Sequence, residues 1–362
     1  MKNHTSPVKR HSSKVISYLA VLVITLLLLG CGIMDGEEAP PVPRPNVLLS
    51  VEGTTRLKRD GWTTATSIGF GTLLEHDDLL EVEGTAHILC GDLTLKTLED
   101  ETDSCPCPAW AGSFNTDQGT YRGIPDKVPY IQHPRNTLVL DAEPLLRWHD
   151  TGVSSYTIAI AQGGSMVWQQ DGVMDNEIVY PADAPTLEPD VDYLLVVQDN
   201  DTGIESSEDP VKGIGFRVAS SAQREALTAH CDDVNSLPDL DAAARDYALA
   251  ICYATWEPKS SGRRPWGAAW LLLESVAETR DAPVVHLWRG DVLSAMKMPN
   301  EAGTAYKAAL EQAEALGDLE SQAAAYAGLW HATGDDGHLD QVIELYAQLG
   351  DQAAQQALED ER

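Results

Sequence analysis

The hydrophobic period of this chain changes once, at Ala219, and that change limits what the chain can fold into. Between Val47 and Val218 apolar residues alternate in short runs bounded by Gly, Asp, Pro or Asn. After Ala219 they recur every three to four positions, and Ala dominates. Alternation turns one face of a strand inward, and the longer spacing does the same for one face of a helix. The expected fold class is multidomain β plus α, with two all-β segments followed by an all-α segment of helical hairpins. Helices are predicted over 222–235, 241–256, 266–279, 283–298, 300–316, 319–332 and 339–349, with a short last one from Gln352. Gly317-Asp318 and Gly350-Asp351 form tight turns, and short loops between similar helices mean antiparallel stacking.

Within 283–316, Gly290, Ala302, Tyr306 and Ala309 keep a small, small, aromatic, small order. Small residues let two helices approach, and Tyr306 fills the gap left between them. This order resembles that of tetratricopeptide repeats. His286 stands at that family's first aromatic position and Arg289 at a usual Leu; 322–349 keeps Ala324, Ala327, Gly334 and Leu345 as a less regular unit. The resemblance implies that 219–362 is a helical-repeat domain that binds a protein partner along a concave face.

The first β segment reads VLLSVEG, TTRLKR, TATSIGFG, LLEVEG, TAHILCG and LTLKTL, punctuated by Gly53, Gly61, Gly71, Gly84 and Gly91 as turns. Gly53 with Thr55-Arg56-Leu57-Lys58, Gly71-Thr72-Leu73 leading to Asp77-Asp78-Leu79-Leu80, and Ala86-His87-Ile88-Leu89 resemble the FecR-like β domain. That resemblance implies the fold of a small all-β domain, here 47–130 with a Cys- and Pro-rich loop at its end. The named family works in envelope sensing, and a sensor role is the alternative reading it brings.

The second β segment, 131–218, offers strands LLRWH, YTIAIA, SMVWQQ, EIVYPA, YLLVVQ and IGFRVA, a spacing that suits a sandwich of about 90 residues. Leu187-Glu188-Pro189-Asp190-Val191-Asp192-Tyr193 resembles the fibronectin type III phrase whose Tyr closes a corner at a strand start, and Trp148 falls where that family keeps a core Trp. The resemblance implies a spacer or protein-binding module. Asp199 and Asp201 alternate as calcium ligands do, but the position where an EF-hand needs Glu is Pro210, so an acidic hairpin turn is expected and no metal is assigned.

Six cysteines are present. Cys90 is expected to pair with Cys105 or Cys107, pinning the Pro-rich loop to the sheet. Its closed loop of about 15 residues contributes roughly 3 kcal/mol in the chain-entropy model. The alternative is a zinc site made by these sulfurs with His76 or His87. Cys231 lies near the end of one predicted helix and Cys252 more than ten residues into the next, about 15 Å along it. In a simple hairpin they do not meet, and no bond between them is expected.

Lys2, Lys9, Arg10 and Lys14 precede an uncharged run from Val15 to Leu29, the parts of a secretory signal. Leu28-Leu29-Gly30-Cys31 then resembles the lipobox of bacterial lipoproteins. That family implies diacylglycerol on the Cys31 thiol, cleavage after the signal 1–30 and a palmitate-type acyl group on the new amino terminus. An uncleaved spanning helix is the alternative, since uncharged residues continue through Met34. Residues 31–46 are Pro-rich and read as a tether. The expected location is extracytoplasmic, lipid-anchored to the cell membrane or to an outer membrane, and such a compartment permits disulfides.

A net charge of −31 repels nucleic acid and anionic headgroups, so no nucleic-acid partner is expected. No G-x-S-x-G, H-E-x-x-H, C-x-x-C or phosphate-binding glycine loop occurs, and His87, His149 and His331 stand singly. Neither a catalytic residue nor a cofactor is assigned. The order of lipid, tether, two β modules and helices predicts a non-enzymatic lipoprotein that holds its repeat domain away from the membrane. A carbohydrate or cell-wall binder using the nine Trp is a further alternative.

Overall fold

The computed structural model describes residues 44–109, 123–237, 240–258 and 263–361. The predicted signal 1–30, the acylation candidate Cys31 and nearly all of the predicted tether lie outside the described residues. Those that are described form a β region followed by a helical region of eight helices.

In the first β region, β1 (Asn46–Lys58) and β4 (Leu79–Leu89) pair antiparallel along their length. Around them, β2 (Thr66–Ile68) and β3 (Leu73–Leu74) pair with β1, while β5 (Leu95–Glu99) and β6 (Thr102–Ser104) pair with β4. Gly53 and Gly84 are not turns, as the sequence suggested. They sit opposite each other inside the two long strands, both at positive φ, where a Cβ on either would strike the backbone of the other strand. Two strands thus stay continuous where four short ones were expected.

The second β region has two sheets. One orders β11 (Ser165–Val173), β10 (Tyr156–Gln162), β13 (Asp192–Asp199), β14 (Phe216–Val218) and β8 (Leu138–Val139); the other orders β12 (Glu177–Val179), β9 (Leu145–Trp148) and β7 (Ile131–His133). Their inner faces share a core that includes Trp148, Tyr156, Ile158, Leu195 and Phe216. Strands β7 and β8 were not foreseen, because two or three residues carry no readable alternation.

The helices are α1 (Ser221–Asn235), α2 (Ala242–Thr255), α3 (Trp266–Thr279), α4 (Pro283–Ala295), α5 (Pro299–Leu316), α6 (Leu319–Thr333), α7 (Asp336–Leu349) and α8 (Gln352–Glu361). Several ends follow from local chemistry. Ser220 and Gln223 form a capping box, and Asp241, Asp318 and Asp335 cap their helices with side-chain oxygens. Gly317, Gly334 and Gly350 close α5, α6 and α7 in the left-handed conformation. The Asp335 cap also explains why α7 starts before the predicted Leu339.

The modules are not strung in series as the sequence suggested, since the helices pack against both β regions. Strand β1 shows why. Leu48 points into the first sheet's own core, while Val47 and Leu49 enter the helical core with Tyr247 and Ile251. At the far end of the chain, Leu349 of α7 fills the first sheet's core beside Trp62 and Leu80.

The Cys231–Cys252 expectation is likewise overturned. A disulfide joins them with Cα atoms 6.0 Å apart. Helices α1 and α2 do not form a simple hairpin, and the C-terminal turn of α1 meets the C-terminal turn of α2.

Candidate functional site

Trp148, Leu187 and Tyr193 lie in the second β region's core at 0%, 2% and 3% exposure. The backbone N–H of Glu188 donates to the Tyr193 hydroxyl at 2.7 Å, tying the strand start to the preceding segment. Ala302 and Tyr306 of α5 lie in the helical core, Ala309 is buried on the same helix, and Gly290 of α4 lies against Tyr306. A Cβ at Gly290 would collide with the Tyr306 ring, and so would one at Gly328 of α6, a residue the sequence reading did not single out. Tyr306 thus sits between two helices and anchors its hydroxyl on Asp291 at 2.8 Å.

Cys90 is bonded to Cys107, leaving Cys105 as a buried thiol whose pKa burial raises. Two of the three sulfurs in the alternative zinc set are therefore not thiolates; His76 meets the Cys107 carbonyl oxygen, and His87 meets Thr97. Asp199 Oδ1 accepts from the N–H groups of Asp201 and Thr202 and so holds its own turn, while Asp201 accepts from Ser154 and ties that turn to the loop before β10. His149 stacks on Tyr130, while His331 lies against Trp330.

The charged groups that matter lie at the two seams between β regions and helices; of these the sequence shows only Asp78, within a family phrase, and Asp318, within a turn. At the first seam the Arg59 guanidinium meets Glu320 of α6 through two hydrogen bonds, of 2.6 and 3.1 Å, and Asp78 at 2.9 Å. Burial, aided by Glu320 and Glu75, pushes Asp78 up to about 6 despite that contact. The α6 cap Asp318 is also raised to about 6 by burial. Trp62 Nε1 donates to Asp351, and the N–H groups of Thr63 and Thr64 donate to the Leu349 carbonyl.

At the second seam Arg135 and Asp209 form a pair whose side chains are both 0% exposed, with N–O 2.7 Å. Arg135 further donates to the carbonyls of Ile131, Met296 and Lys297, pinning the α4–α5 turn. His133 is enclosed nearby, with Nδ1 donating to the Leu145 carbonyl, and burial lowers it to about 4.

Beside this seam α3, α4 and α5 and the second β region enclose a cleft of about 350 Å³. Arg147 lies 5.3 Å from the Trp270 ring centre and bonds Glu177 at 2.8 Å and Glu274 at 2.9 Å. Tyr130 donates to Glu301 Oε1, and burial together with that carboxylate raises the phenol's pKa, keeping it a donor. His286 Nε2 contacts Asp281 at 2.7 Å while its Nδ1 faces Arg289 at 3.3 Å. The imidazole therefore steadies a guanidinium instead of activating a hydroxyl or thiol. A smaller cleft, of about 220 Å³, separates Arg59 and Leu73 from Leu287 and Trp288 of α4. No family model matches this chain, and no curated protein matches it.

Proposed function

We propose that the chain belongs to the lipid-anchored, non-enzymatic binding proteins of the extracytoplasmic face. More particularly, we read it as a lipoprotein acylated at Cys31 whose β regions are FecR-like and fibronectin III-like and whose tetratricopeptide-like helices capture a protein partner. The observation that carries this reading is Tyr306 held between Gly290 and Gly328, the side-chain exchange by which stacked helical pairs close on each other. The β regions buttress the helices on this reading, instead of lifting them away.

Crosslinking in native cells followed by mass spectrometry tests the reading. Partner crosslinks are expected within 219–362, and crosslinks confined to 47–218 would sink it. For the anchor, labelled palmitate is expected to enter the wild type and to be lost from Cys31→Ala. A sensor role is the second reading, favoured by the Arg59–Glu320 contact that joins the FecR-like region to α6. The glycan reading lacks support of this kind, since the described Trp residues are all buried or half-buried.

A further inference from the structure

The cleft of about 350 Å³ beside the second seam is lined by Arg289 and Glu301, each held from behind by a fixed partner, and each keeps one buried polar atom without a partner. Three partners line up behind Arg289. The Gln312 amide donates to Asp281 at 2.9 Å, Asp281 accepts from His286 Nε2, and His286 Nδ1 accepts from Arg289 Nη1. Yet Arg289 Nε has no hydrogen-bond partner. Glu301 is arranged the same way. Its Oε1 accepts from Tyr130, whose ring stacks on His149 with centroids 4.6 Å apart, and its Oε2 has no partner. Buried donors and acceptors without partners are unfavourable, so groups this well oriented need a complement.

The remaining cation of the cleft is already committed, because Arg147 is shared between Glu177 and Glu274. Beside the committed Arg147, the cleft holds the Arg289 guanidinium and the Glu301 carboxylate on neighbouring helices and the exposed Asp126 at its rim, with Leu293 and Ala305 offering apolar surface. A simple anion would face Glu301 and a chain of net charge −31; a simple cation would face Arg289. A ligand carrying both charges meets neither obstacle. The volume also falls in the range of small-molecule sites, which favour seams between domains.

We propose that this cleft binds a small zwitterion, a free amino acid or short peptide, with its carboxylate on Arg289 and its ammonium on Glu301. This site is separate from the partner-binding reading and stands without it. The test is isothermal titration calorimetry on the full chain in detergent, with leucine, phenylalanine and glycylleucine as probes. Each is compared with its N-acetylated and its C-amidated form. At least one zwitterion is expected to bind with a Kd below about 1 mM. Capping either end is expected to weaken binding at least about tenfold. Arg289→Met and Glu301→Gln are each expected to do the same while keeping the wild-type circular dichroism spectrum. The free amino acids and the dipeptide distinguish the two sources. Absence of heat from all three probes at about 10 mM, or capped forms binding as tightly as free ones, overturns the proposal. Folded variants that keep wild-type affinity overturn it as well. Should either variant fail to fold, the capping series on the wild type decides alone.

Discussion

Arg135 and Arg59 each carry a β region onto the same helical layer, but one is enclosed and the other is shared with solvent. The Arg135 and Asp209 side chains are both 0% exposed, whereas Arg59 and Glu320 keep 18% and 26%. In the enclosed case every donor has a fixed acceptor, so removing the cation strands a buried carboxylate and several carbonyls. In the open case water and salt replace part of what is lost. Two arginines with the same nominal task should therefore differ severalfold in what they contribute.

The largest effect is expected from Arg135→Met, with a loss of about 3–5 kcal/mol in denaturant unfolding. A loss near that of an ordinary surface change would break the comparison. Next comes Gly328→Ala in the layer that both seams share. The added methyl strikes Tyr306, and overpacking of this kind costs about 1–3 kcal/mol. Thermal melts of the variant should fall as one transition; separate melting of the β regions would show that the layer does not couple them. Smaller again is Arg59→Met, expected to cost about 1–2 kcal/mol and less in high salt. Salt-independent loss would mean that the first seam is as closed as the second.

Acidity should separate the seams most subtly. Asp78 and Asp318 have folded pKa values raised to about 6 from 3.8, so their contribution is fully present below the unfolded value and is lost as pH rises through about 6. His133 is lowered to about 4 from 6.5, so its contribution is present above 6.5 and is lost as pH falls through about 4. Between neutral pH and about pH 5 the first seam should tighten while the second loosens. Hydrogen exchange reads both, through the Thr63 and Thr64 amides bonded to Leu349 and the Leu138 amide bonded to Arg264. After correction for intrinsic rates, equal changes at all three amides would refute the opposed linkage.

Parts of this fold were legible in the sequence because the forces involved act over a few residues. Alternation marked β10, β11 and β13, and the longer period marked the helices. The run Val47-Leu48-Leu49, apolar without a break, also held a clue not used, since it is what a strand buried on both faces looks like. Gly53 and Gly84 were misread because a glycine at positive φ serves a turn and a close strand crossing equally well. Of the cleft wall and its backing, the sequence shows Arg289 and His286 only as departures from a repeat pattern. Their alignment with Asp281 and Gln312 needs the α4–α5 packing to exist first.

The sequence by itself determined the local order: where strands give way to helices, and where Gly317-Asp318 and Gly350-Asp351 turn one helix into the next. Hydrogen bonding and side-chain periodicity within one or two turns suffice for that. Tertiary structure alone decided that Cys231 meets Cys252, that Arg135 finds Asp209 74 positions away, and that Arg59 finds Glu320 across 261. Closing loops of such length costs entropy that grows only slowly with separation, so no local pattern marks the partners. They are selected by which faces the packed helices leave to be buried.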